Sequence, residues 1–486
     1  MMISRRTFLS VGSTAAAAFA IRPFPRSLSE IGGLLGSHRT DFEALRASIK
    51  GSLILPTDPP YERARRVWGF NPRTDARPAA IVRCAEANDV VKSVTFAREH
   101  SIELAIRGAG HDILGASTCE GGLVVDLSAM KHIDIDAAQR TARVQPGVVS
   151  GELKAASAQS GLAPVLGCHP GVGVGGLTLG GGIGWFLGTH GAACDNLVSA
   201  TIATADGKLL RASAAENSDL YWAIRGGGGN FGVATEFEFQ LQPVTAVVGG
   251  VVAFRQTDVR AFLRFYRDYM KTAPDPLTVE LSIFADPDPT IWAMVCWNGS
   301  PDAGERALRP LRTLAQPIAD TIEPVPWARF LARMPQRTMR QTPNTYWRGG
   351  TLAALSDAAI DQFAKAIESA PDGWQLGLGH YMHGRICEVA EAATPFRRVV
   401  GNSTHFISAS WGEPGAAASS MEWVDRTWGA LHELADSGTY VNYLSEASEA
   451  AVKSSYGEHY ARLATIKRRY DPDNVFHRNR NIRPAG

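Results

Sequence analysis

The sequence predicts a chain of mixed helix and sheet, α+β or α/β, on three observations. Short β-rich runs alternate with helical stretches from about residue 78 to about residue 244. Longer strands interleaved with helices follow from about residue 247. The composition is globular, 45% hydrophobic and 20% charged over 486 residues, which is enough for two domains with sizeable cores. Lysine plus arginine number 49 against 48 aspartate plus glutamate, so no long-range field draws the chain to a polyanion and a nucleic-acid partner is not expected.

Residues 1–26 begin "MMISRRTFLSVGSTAAAAFA", an arginine pair before a short apolar run of small residues that ends in an A-x-A-like site. This looks like a twin-arginine export signal, with the export machinery as a transient partner and a periplasmic or secreted destination. The run is too short to span a bilayer and no other run approaches spanning length, so no integral membrane span is expected. Residues 27–76 carry little periodicity and read as an irregular lead-in.

From there "AAIVRCA" reads as a strand, Asp89 as the cap of the helix "VVKSVTFAREH", and "IELAIRGAGH", "LVVDLS" and "TARVQPG" as three more strands. Ser150 is placed to cap "GELKAASAQS". The pattern runs through "LVSATIATADGKLLRAS" to "VATEFEFQLQPV", closing a first domain over 77–246. A second, over 247–436, holds the longer strands "TVELSIFA", "TIWAMVCWNG", "WQLGLGHYMHGRICEV" and "STHFISASW". Between them stand the helices "VRAFLRFYRDYMKTA" and "MEWVDRTWGALHEL". Residues 437–486 form an amphipathic helix and an Asp-Pro turn that return to the first domain.

The stretch "GCHPGVGVGGLTLGGGIG", residues 167 to 184, holds nine glycines and one cysteine and no charged side chain. Glycine lets backbone approach a ligand, and successive free N–H groups can hold an anion. A Walker loop is excluded because Gly-Lys-Ser/Thr is absent; a nicotinamide Rossmann fingerprint fits "GVGVGG" only loosely, and tight packing is the plain alternative. Two further glycine clusters, "RGAGHD" and "YWAIRGGGGNFGVAT", favour a ligand over packing. The six cysteines, Cys84, Cys119, Cys168, Cys194, Cys296 and Cys387, lack C-x-x-C spacing, so neither a zinc site nor a dense disulfide framework is indicated.

Together with "GLTLGGGIGWFLGTHGAACDNLVSATIATADG", "YVNY" and "YGEHYARLATIKRRYDPDNVF", these motifs resemble, in order, the FAD-linked oxidases of the berberine bridge enzyme-like group, within the vanillyl-alcohol oxidase superfamily. The resemblance implies an α+β architecture, a PCMH-type two-subdomain FAD-binding domain with an inserted substrate domain of antiparallel sheet and helices. It implies FAD held by Arg107, Gly108, Ala109, Gly110, His111 and Asp112, by Val172, Gly173, Gly176, Gly180, Gly181 and Gly182, and by Val233 and Asn442. His111 takes the place of the residue bonded to the flavin 8α-methyl carbon. Relatives with two links carry a cysteine directly before a pattern like Pro-Gly-Val-Gly, and here His169 stands there. Cys168 sits one residue early, so a second link at flavin C6 needs a shift of the loop.

For the reaction, the resemblance implies a donor hydroxyl deprotonated by Tyr443, with Tyr440 lining the substrate side and hydride passing to the flavin and then to O2, giving H2O2. A phenol would need a nearby cation or the flavin's field to act near neutrality. Asp195, Asn196 and Asn230 read as loop braces. The glutamate that serves the berberine bridge enzyme would fall near Phe406, if Trp411 is the landmark, so ring closure of that type is disfavoured. His383 and His405 are further pocket candidates, and the resemblance puts Val172 at or next to the position where a small residue leaves room for oxygen. An amine or hydroxynicotine-type oxidation, a dehydrogenase with another acceptor, and a non-catalytic ligand-binding protein of the same fold are the alternatives.

Overall fold

The computed structural model describes residues 41–255, 258–285, 289–333, 344–435 and 438–486. The twin-arginine stretch lies outside the described residues. The described residues form three sheets.

The first contains β1 (Ser52–Ile54), β2 (Ala80–Arg83), β3 (Leu104–Arg107) and β4 (Leu123–Asp126) in the order β1-β2-β4-β3. β2, β4 and β3 run parallel because the helix Ala87–Glu99 carries the chain back between β2 and β3. β1 pairs antiparallel with β2, so the stretch read as an irregular lead-in supplies a strand, and its Phe42, Leu45 and Leu53 enter the core. Asp89 is not the cap. It lies within the helix's first turn, where its carboxylate accepts the N–H groups of Lys50, Gly51 and Ala85 and fastens that edge strand.

The second sheet holds β5 (Ile133–Asp136), β6 (Thr141–Val144), β7 (Leu162–Pro164), β8 (Leu197–Ala203), β9 (Leu209–Ser213) and β10 (Val233–Pro243), all antiparallel about β10. The helix Ser150–Ala158 is preceded by Val149, and Ser150 is not its cap; the Ser150 hydroxyl donates to the Gly167 carbonyl instead, 3.1 Å away. The glycine-rich stretch thus hangs between β7 and β8, gripped at its start.

The third sheet is antiparallel and comprises β11 (Ala246–Arg255), β12 (Leu277–Ala285), β13 (Pro289–Trp297), β14 (Ala319–Asp320), β15 (Glu323–Pro326), β16 (Asn344–Leu352), β17 (Trp374–Gly379) and β18 (Ser403–Trp411). Side chains alternate between faces along a strand. Val279, Leu281, Ile283, Leu376, Ile407 and Ala409 meet the helices Val259–Lys271, Asp357–Glu368 and Ala417–His432 in one core. Glu280, Ser282 and Phe406 take the opposite face and line a cavity. β17 ends at Gly379, far short of the single strand expected over residues 374–389. His380 turns the chain with a φ of 46°, a left-handed conformation.

The chain then returns to the second sheet. Helices Glu449–Tyr456 and His459–Tyr470 put Val452, Leu463 and Ile466 into its core. Fully buried Lys467 donates to the carbonyls of Asn230 (2.8 Å) and Phe476 (3.0 Å) and pairs with Asp471 at 2.6 Å. A buried cation is tolerable when every N–H has a partner, and here they clamp the third glycine cluster to the C-terminal segment. No helix among the described residues is long and apolar enough to cross a membrane.

Candidate active site

A cavity of about 410 Å³ runs between the three glycine clusters and the open face of the third sheet. The turn after β3 supplies Gly108, Ala109, Gly110, His111 and Asp112 to its wall, and the stretch after β7 supplies Cys168, Val172, Gly173 and Gly176. A Cβ built on Gly173 would come within 3.0 Å of Ala109, so these two turns can press together only because glycine stands there. Gly176 differs. A Cβ there meets no protein atom within 4 Å, so packing does not explain the glycine and the space in front of it belongs to the cavity. Val233, at the start of β10, and Asn442 complete the same wall.

Other residues read as cofactor contacts stand behind it. Arg107 is buried and spends its guanidinium on Asp126 (2.9 Å) and the Ala64 carbonyl, holding β3 to β4. Gly180, Gly181 and Gly182 do not line the cavity; their missing side chains make room for Asn442, Phe396 and Ala193 respectively. Asp112 does line it, yet its carboxylate is occupied by the N–H groups of Leu114 and Ala116 and by an ion pair with Arg480.

His111 stacks on Trp68, ring centroids 4.5 Å apart and 12° from parallel. Burial, with His169 beside it, pushes its imidazole down to about 3, so the ring is neutral and keeps a nucleophilic nitrogen at ordinary pH.

The other end of the cavity is aromatic, built from Trp347, Phe406, Tyr440 and Tyr443. Tyr440 and Tyr443 lie in a short turn, Val441–Tyr443 with Tyr440 before it, rather than in a strand. The Tyr440 hydroxyl accepts the backbone N–H of Gly182 (3.0 Å) and the side-chain amide N–H of Asn442 (2.8 Å), which makes it a brace between the glycine stretch and this turn. Burial and then the nearby Glu280 push the Tyr443 phenol upward, and the cation it would need as a base is replaced by an anion.

Set in this wall is a polar pair that the sequence reading missed. Oε1 of Glu280, on β12, stands 2.9 Å from Nε2 of His380. Burial alone would raise the Glu280 carboxyl, but His380, the Cys168 thiol and Lys154 outweigh it and hold the group below its usual range. Cys168 Sγ lies 3.7 Å from the same His380 nitrogen, its thiol pushed well up by burial and Glu280. Beneath them the fully buried Lys154 donates to the Gly167 carbonyl at 2.6 Å, its ammonium lowered to about 8 by burial. His383 and His405 are not in the cavity. His383 bonds the Leu277 carbonyl at 3.0 Å, and His405 points to the helix-covered face of β18, against Phe363. Asp195, Asn196 and Asn230 brace loops, as read: Asp195 holds Arg398, and Asn196 bonds two carbonyls.

Residues 78–213 match the family described as FAD binding domain, and residues 439–483 the one described as Berberine and berberine like. The (R)-6-hydroxynicotine oxidase of Paenarthrobacter nicotinovorans is 31% identical over 459 residues, 90% of this chain and 98% of that one. The chain belongs to the berberine bridge enzyme-like FAD-linked oxidases. A crystal structure of 6-hydroxy-D-nicotine oxidase from Arthrobacter nicotinovorans superimposes with a TM-score of 0.82 at 29% identity, covering 90% of this chain and 99% of that one. The carbohydrate oxidase of Microdochium nivale shares the fold, with a TM-score of 0.79 at 23% identity and 91% and 99% coverage.

A berberine bridge enzyme-like oxidase needs a home for FAD, and the cavity fits one. Ser117 Oγ, Tyr456 Oη and Asn479 Oδ1 line it, are buried, and have no hydrogen-bond partner among the described residues. Buried polar atoms ordinarily have a partner, and a bound ligand or water can supply it here. The glycine stretch has no charge of its own, and cations come from elsewhere: Arg478 and Arg480 of the C-terminal segment reach the same wall. This oxidase is an FAD-dependent oxidoreductase.

Proposed function

We propose that the chain oxidises a small, largely apolar donor by removing hydride from a carbon that bears a hydroxyl, with O2 as final acceptor and H2O2 as product. The observation that carries this reading is the Glu280–His380 pair, a proton-accepting group beside the aromatic rings of Trp347, Phe406 and Tyr443. FAD, when bound, supplies the hydride acceptor. Trp347, Phe406 and Tyr443 offer flat faces that hold a ring and exclude water. Glu280, kept ionised by His380, takes the hydroxyl proton. A carboxylate suffices, because an alcohol proton becomes strongly acidic as its carbon loses hydride.

His111, neutral and stacked on Trp68, is the residue we assign to the single covalent bond with the cofactor. Cys168 faces His380 and Glu280 and is assigned no flavin bond. Val172, on the cavity wall, leaves room for O2. The arginine pair at Arg5 and Arg6 supports export through the twin-arginine route.

A second reading, oxidation at an amine-bearing carbon, is favoured by the 31% identity to a hydroxynicotine oxidase and by the buried anion of Glu280, which suits an N–H donor. The deciding experiment follows the visible flavin band anaerobically against benzylic alcohols, sugars and amines. Bleaching by alcohols supports the first reading and bleaching by amines alone supports the second. Bleaching by none of them supports the ligand-binding alternative.

A further inference from the structure

The donor end of the cavity holds more than hydride transfer requires. Cys168, Glu280 and His380 arrive from three separate segments, the glycine stretch, β12 and the end of β17, and their ligand atoms all lie within 4.8 Å of one another. His380 is held in its left-handed backbone by the Thr404 hydroxyl, 3.1 Å from Nδ1; that hydroxyl is also 3.0 Å from the Gly379 carbonyl. Where the hydroxyl hydrogen goes to the carbonyl, Nδ1 carries its own hydrogen and the lone pair on Nε2 faces the Glu280 carboxylate at 2.9 Å. In that tautomer a cation between the two acceptors holds them at this distance. A proton serves, and so does a metal ion.

We infer that Cys168, Glu280 and His380 form a site for a thiophilic divalent cation of the zinc class, which enters as the Cys168 thiol proton and any proton held between His380 and Glu280 leave to solvent. Bond lengths of about 2.0 Å to nitrogen or oxygen and about 2.3 Å to sulfur put tetrahedral donors roughly 3.3–3.7 Å apart. The observed sulfur-to-nitrogen separation of 3.7 Å matches, and the 2.9 Å oxygen-to-nitrogen separation needs to open by a few tenths of an ångström. Thr404 behind Nδ1 is the outer partner that fixes a ligating imidazole. The fourth position opens on the cavity beside Tyr443, so the ion and the donor compete for one space. Binding rests on this geometry alone; the competition also rests on the proposed function.

The test adds zinc chloride to the full FAD-loaded chain, removes free metal by gel filtration, and measures bound zinc. One zinc per chain is expected, with affinity weakened about 100-fold in Cys168→Ser and in Glu280→Gln. Cys387→Ser, altering a cysteine outside the trio, should bind as wild type does, and retained flavin shows that each variant is folded. A wild-type ratio below about a tenth, or wild-type binding by Cys168→Ser, overturns the site. Zinc should also raise the apparent KM for the donor without lowering kcat. Trio-dependent binding with unchanged KM overturns the competition. Trio-dependent binding in a protein that no donor reduces leaves the site standing and removes the proposed function.

Discussion

Oε1 of Glu280 and Nε2 of His380 stand 2.9 Å apart at the end of a cavity also lined by Trp347, Phe406, Tyr440 and Tyr443. If this pair takes the donor's proton, Glu280→Gln should slow anaerobic flavin reduction by about 10²–10⁴-fold while flavin content stays at the wild-type level. Stopped-flow reduction against the alcohol found in the donor screen is the measurement.

The two tyrosines should part company. Tyr440→Phe leaves the Gly182 N–H and an Asn442 N–H without their acceptor, a loss of about 1–3 kcal/mol per group that denaturant unfolding would register. Tyr443→Phe keeps the ring that faces Trp347, and with Glu280 as the proposed base, flavin reduction should stay within about tenfold of wild type.

Glycines of the same stretch should also differ. Gly176→Leu meets no protein atom within 4 Å at its Cβ and should fold to a protein of near-native melting temperature that has lost its flavin. Gly182→Ala places a Cβ 2.5 Å from that of Ala193 at a φ of 83°, and should destabilise the fold itself. Melting curves beside visible spectra distinguish the two outcomes.

Much of this was legible from residue order, because glycine spacing and strand alternation are local. "STHFISASW" is the strand Ser403–Trp411 residue for residue, and "RGAGH" does place His111 on the cavity wall. The site's acid was not. Glu280 reads as one polar step in the alternation of "TVELSIFA", and only the register of β12 against β17 brings it to His380. His380 was itself hidden inside a run read as one long strand, since a left-handed histidine leaves no mark in hydrophobic pattern. Gly180, Gly181 and Gly182 resemble ligand contacts in sequence; their true neighbours lie more than 200 residues onward for Gly180 and Gly181, and about ten onward for Gly182.

His405 offers a pH test away from the site. It is buried with neither ring nitrogen partnered among the described residues, and burial, with His432 nearby, lowers it from 6.5 to about 3. A depressed histidine is neutral in the folded chain while the unfolded chain takes up its proton. Stability is therefore full above pH 6.5 and falls by up to about 1.4 kcal/mol per pH unit as pH drops toward 3. His405→Phe should show a shallower acid slope than wild type in denaturant titrations between those limits.

The claim on which the rest depends is that FAD lies along the glycine turns and is tethered by His111. Acid precipitation of the purified chain followed by mass measurement of the pellet tests it most directly. A yellow pellet heavier than the polypeptide by one FAD is expected, and a colourless, unmodified pellet from His111→Ala. A colourless pellet from the wild-type chain would contradict it.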